Sequence, residues 1–208
     1  MKKICVFIIF ILAISSTAIA DDFTGTPAEF IVTINLVEFY NSTTDQWMVA
    51  GTGDFTFDIT SVLPGQLCGG YGTPVGFTKG IYTIMRVTVS RTMQINDSQT
   101  HGAATYYTRT GTVPLVNGNI GGGVRVTQAN AVGPAQRATM ILSQGWVTPA
   151  ADTDYFIVQV ALAAPADLGP GTTKRCRIDF DAVGVLTYDH VNGACYINAQ
   201  PNITAQFF

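Results

Sequence analysis

Apolar and polar side chains alternate with a period of two along most of this chain, and that rhythm restricts it to one kind of fold. In "DYFIVQVAL" the apolar positions are Phe156, Val158, Val160 and Leu162, and in "RCRIDFDA" Cys176, Ile178, Phe180 and Ala182 alternate with Arg175, Arg177, Asp179 and Asp181. Successive side chains of an extended strand point to opposite faces, so each run reads as a strand with one face on a core. "DFTFDIT" sets Phe55, Phe57 and Ile59 against Thr56, Asp58 and Thr60, and the terminal "NITAQFF" keeps Ile203, Ala205 and Phe207 in phase. "GIYTIMRVTVSRTMQI" aligns Met85, Val87, Val89, Met93 and Ile95, interrupted by Arg91. In "EFIVTINLVEFY" the residues Phe30, Val32, Ile34 and Leu36 share a face until the phase slips to Val37 and Phe39. A slip of one residue inside a strand predicts a bulge or a change of sheet.

"TGTVPLVNGNIGGGVRVT", whose Asn117-Gly118 suits a tight hairpin turn, and "ATMILSQGW" add further strands. Together these segments predict an all-β protein, an antiparallel β-sandwich of roughly nine to ten strands, immunoglobulin-like or pilin-like. The Gly-rich "PGQLCGGYGTPVG" and "NAVGPAQ" read as long loops within a single domain over 21–208.

Ahead of that domain, "MKKICVFIIFILAISSTAIADD" joins two lysines, an apolar run and an Ala18-x-Ala20 box. This is the pattern of a cleaved secretory signal peptide over 1–20. The apolar run falls short of the about 20 residues that a lasting membrane span needs. An extended arm over 21–30 then precedes the first strong strand. With Lys2 and Lys3 removed, 9 Lys and Arg face 14 Asp and Glu, a net charge of −5. A mildly acidic, lysine-poor chain has no electrostatic footprint for nucleic acid. In phase with Phe208 stand Gln206, Thr204 and Asn202, which argues against the lipid-facing apolar band of a membrane barrel. The expected location is therefore extracellular or at the cell surface, with no membrane partner once the signal is cleaved.

In an oxidising compartment the three remaining cysteines allow one disulfide. Cys176 and Cys195 are the expected pair, with Cys68 free or the alternative partner. A two-residue turn at Asn192-Gly193 would put His190, not Cys176, opposite Cys195, so the clasp requires an earlier turn or non-neighbouring strands. His101 and His190 stand far apart in sequence and outside any H-x-x-x-H pattern, so no zinc site and no cofactor is expected. Asp152 and Asp154 flank one position before a strand and are a weak calcium candidate; Asp179 and Asp181 read as a solvent face paired with Arg175 and Arg177. Trp47 and Trp146 are expected in the core, because strand aromatics most often pack inward. Tyr106 and Tyr107 are adjacent, so one of the two rings should face solvent. There is no G-x-S-x-G elbow and no paired-glutamate arrangement, and no enzymatic activity is expected.

The cysteine-bracketed segment 175–195 resembles the C-terminal disulfide loop of type IV pilins. The N-terminus lacks their cleavage site and long helix, so neither is carried over. Donor-strand pilins are the closer physical analogy. A low-charge, Thr- and Gly-rich secreted chain suits a structural subunit that self-associates into a homopolymer by strand addition, with Phe30, Val32, Ile34 and Leu36 as the assembly strand. The alternative is a monomeric binding module for carbohydrate or a surface partner, with loops at its rim.

Overall fold

The computed structural model describes residues 22–61, 77–113, 123–128, 133–142, 147–171 and 175–208. The expected signal peptide, Cys68, Asn117-Gly118 and Trp146 lie outside the described residues. Among the described residues there is no helix, as the period-two pattern predicts. The strands are β1 (Phe23–Gly25), β2 (Glu29–Asn41), β3 (Gln46–Asp58), β4 (Gly80–Ser90), β5 (Thr92–Asn96), β6 (Ser98–His101), β7 (Ala104–Val113) and β8 (Gly123–Gln128). They continue with β9 (Ala138–Ile141), β10 (Thr148–Pro149), β11 (Tyr155–Leu168), β12 (Cys176–Asp181), β13 (Leu186–Asp189), β14 (Ala194–Ile197) and β15 (Asn202–Phe207). The described segments number fifteen, more than the sequence pattern suggests, because bends cut long runs into pieces.

One such cut explains Arg91. Met85, Val87, Val89, Met93 and Ile95 are all buried, yet the run that holds them breaks between β4 and β5 at this residue. The Arg91 guanidinium donates to the Leu142 and Thr153 carbonyls, and its backbone N–H donates to the Asp154 carbonyl. A charged side chain therefore stands in an apolar series because it satisfies carbonyls where the strand bends.

A nine-stranded sheet runs β12-β15-β11-β4-β2-β5-β9, with β3 also on β2 and β10 on β11. β2 is its centre: one edge pairs with β3, the other with β4 and β5. The register on both β3 and β4 shifts between Ile34 and Leu36, the point where the sequence changes phase. Phe30, Val32 and Ile34 enter the core before the bulge, Val37 and Phe39 after it, and Leu36 is left half-buried. β12 and β15 form an antiparallel ribbon that joins β11 through one parallel bridge, Leu162 to Ala205. The ribbon folds over the sheet, Phe180 packing on Phe57 and Phe207 on Phe39 with ring centroids 5.7 and 4.9 Å apart.

The six-stranded sheet runs β1-β13-β14-β8-β7-β6 and curls until its two edges nearly meet. Phe23 of β1 stacks on His101 of β6 at 4.5 Å, and Gln99 Nε2 donates to the Thr26 carbonyl at 3.0 Å. Gly25 makes the approach possible: a Cβ there would lie 2.8 Å from Gln99 Cγ and 2.9 Å from the Tyr188 ring. Buried residues of both sheets belong to one hydrophobic cluster.

Candidate functional site

The central position of β2 revises its expected role. A strand already bonded along both edges cannot be offered to another chain without dismantling its own sheet. Phe30, Val32 and Ile34 are thus core-forming positions and Leu36 sits half-buried at the bulge, in a central strand rather than an exposed assembly strand. The open edge belongs instead to β3, whose 13 residues have β2 as their partner among the described strands. Its Met48, Ala50 and Phe57 pack toward the core. Ala50 is an extra residue there, because the register passes from Val37↔Gly51 to Glu38↔Val49. A second interruption lies at Gly53, with φ +104°, a conformation that favours glycine.

Trp47 is not in the core. It pairs with Tyr40 across β2 and β3, on the face opposite buried Phe39, and the two rings lie 5.4 Å apart. On the same side Arg86 makes a two-pronged ion pair with Glu38, Nε to Oε2 at 2.5 Å and Nη2 to Oε1 at 2.9 Å. The Arg86 guanidinium also lies 4.1 Å from the Trp47 ring centre. Stacked beneath arginine, Trp47 shields an ion pair whose glutamate is 7 % exposed. Tyr40 donates to Asp45, a bond that raises the phenol above its ordinary pKa.

The cysteine pair occupies two different sheets. Cys176 lies opposite Phe207 in the ribbon, and Cys195 lies opposite Tyr188 in the six-stranded sheet. Both are free thiols, so the expected clasp is not made here. The β13–β14 connection has four residues, His190 to Gly193, and Gly193 has φ +62°. That longer turn moves the partner of Cys195 from His190 to Tyr188. Burial pushes the Cys176 thiol up to about 12 and raises that of Cys195 as well, so neither is poised as a thiolate.

Asp152 and Asp154 do not converge on a cation. Asp152 accepts the Asp154 N–H at 2.9 Å, closing a turn, and no group of three acidic, histidine or cysteine ligands occurs among the described residues. Asp179 pairs with Arg177 at 2.8 Å, and Asp181 accepts the Val183 N–H.

A carboxylate that sequence reasoning passed over proves central. Asp97, 2 % exposed, accepts from Ala28 N–H at 3.2 Å, from the Gln99 amide and from Tyr188 Oη at 2.5 Å. Burial is the main reason the Tyr188 phenol is raised far above its ordinary pKa. This network ties the β1–β2 connection, the β5–β6 corner and β13 together. Above it sit Phe23, His101, Tyr106 and His190, with the two histidine rings 6.0 Å apart despite their separation in sequence. Tyr106 packs against the core and Tyr107 carries Arg109 at 5.6 Å, so both rings are half-covered.

An apolar pocket of about 50 Å³ lies where the β12–β15 ribbon and the end of β14 meet the other strands of the nine-stranded sheet, with Phe30, Val158, Phe180, Ile197 and Ile203 in its walls. This apolar space leaves the ribbon incompletely packed on the neighbouring strands.

The chain matches no known protein family, curated protein or solved structure. Its function must be read from this geometry.

Proposed function

We propose that the protein is a secreted structural subunit that builds an extracellular pilus-like or matrix filament by β-strand addition, its two sheets serving as a sandwich-like body. The observation that carries this reading is the open 13-residue edge of β3. A long strand edge presents a row of backbone donors and acceptors, a template for another strand. The occupant is a second copy of the chain. β12 sits at the other end of the strand path, and among the described strands it too has one neighbour, β15. Its Cys176, Ile178 and Phe180 alternate with Arg177 and Asp179, the half-apolar pattern an added strand needs. Pairing unlike edges is heterologous, and such contacts grow into open filaments when their rotation does not close a ring.

Ala50→Pro tests this directly. Proline is tolerated at bulges while it removes an N–H and stiffens the strand, so the subunit should fold and stop assembling. Sedimentation velocity and negative-stain microscopy should show concentration-dependent filaments for the parent protein and monomers for the variant. A parent protein that stays monomeric at high concentration sinks the reading. In that case the Trp47, Tyr40 and Arg86 surface favours the alternative, a binding module in which rings on a sheet face stack against a sugar.

A further inference from the structure

We propose that His101 and His190 form a binding site for an imidazole-preferring transition-metal dication such as Zn²⁺, Cu²⁺ or Ni²⁺. His101 ends β6 and His190 opens the β13–β14 turn, so the two come from opposite sides of the seam where the six-stranded sheet nearly closes. Their ring centroids are 6.0 Å apart with an interplanar angle of 40°. With metal–nitrogen bonds of about 2.0–2.1 Å, two imidazoles sharing one ion have centroids roughly 5 to 6 Å apart.

A second observation points the same way. His190 Nδ1 is buried and has no hydrogen-bond partner among the described residues. A buried polar atom without a partner carries a desolvation cost, and coordination of a metal ion relieves it at a ring nitrogen. The surrounding aromatics hold both rings in place: Phe23 lies flat on His101 at 4.5 Å with planes 2° apart, and Tyr106 lies 5.5 Å from His190. His101 is exposed, which leaves a path for the ion and for waters that complete its coordination.

Two imidazoles, with no converging carboxylate among the described residues, suit a borderline-soft ion and disfavour Ca²⁺ or Mg²⁺, which require oxygen ligands. A bound ion would bridge the β6–β7 and β13–β14 turns across β1, fastening the seam.

Isothermal titration of the untagged protein with ZnCl₂, CuSO₄ and CaCl₂ tests the proposal. The transition metals should bind at this site and calcium should not. His101→Ala, which changes an exposed side chain and spares the fold, should lower the affinity at least tenfold, and His190→Ala should do the same. The Cu²⁺ electron paramagnetic resonance spectrum should carry nitrogen hyperfine structure that His101→Ala reduces. Zinc at a hundredfold excess over Kd should raise Tm by about 5 °C or more in the parent and not in His101→Ala. Binding that survives both substitutions, or no binding at millimolar metal, overturns the site.

Discussion

Asp97 is the side chain on which most of the seam depends. It takes hydrogen bonds from three separate stretches of chain while 2 % exposed. Replacing it by alanine strands the Tyr188 hydroxyl and the Ala28 N–H, which should cost about 3 kcal/mol. Tyr188→Phe removes one donor and leaves the others, so about 1–2 kcal/mol is expected. Urea unfolding checks both, the midpoint falling with the slope unchanged. Asp189 sets a pH dependence of its own. Burial alone would raise its pKa, but bonds from the Asn192 side chain and backbone and from Tyr196 outweigh that and hold it below its usual value. A carboxyl lowered by folding contributes stability above its unfolded pKa of about 4, and loses it as pH falls through the folded value. Urea midpoints between pH 7 and 2 should therefore fall below about pH 4, and Asp189→Asn should flatten part of that decline. An identical slope in the variant would remove Asp189 from the explanation. The cysteines give a third test: iodoacetamide at pH 8 should label Cys176 and Cys195 after unfolding and spare them before it. A peptide pair linked through Cys176 and Cys195 would contradict the placement of the two thiols in separate sheets.

Among the elements, Gly80 shows how tightly β4 begins. A Cβ there would lie 2.2 Å from Oδ1 of Asn41, which is fully buried at the end of β2. Gly80→Ala should cost at least about 2 kcal/mol by thermal or urea unfolding, since neither backbone nor amide can retreat. Much at this scale was legible in the sequence. The phase slip at Leu36 marks a bulge, and Cys176, Ile178 and Phe180 of β12 do face the core. Partners were not legible, because period two tells which face a residue occupies and nothing about which strand lies beside it. For that reason β2 looked detachable although three strands bond to it, and His101 and His190 looked remote although a curled sheet unites them. Trp47 was misplaced for a related reason: its ring serves an ion pair on the outer face, and alternation across the β3 bulges does not fix its side. Asp97 gave no local signal, since its partners at Ala28 and Tyr188 come from distant segments.

At the scale of the molecule, a single bridge joins β11 to β15 among the described residues, beside an apolar pocket. Hydrogen exchange should find the β12–β15 ribbon less protected than β2 and β4, because regions with few buried contacts open first. Equal protection in both would mean that the ribbon and the sheet unfold as one unit. The closing of the seam carries a different kind of consequence, one of timing. Thr26 Oγ1 accepts from the Gly184 N–H across 158 residues of chain, and among the described strands β1 pairs with β13 alone. Synthesis runs from the N-terminus, so β1 emerges long before β13. Such long-range pairing slows folding, because loop-closure entropy is lost before the contacts form. The first strand must then wait, without its β13 partner, until almost the entire polypeptide has emerged, so the six-stranded sheet is among the last parts of the molecule to close.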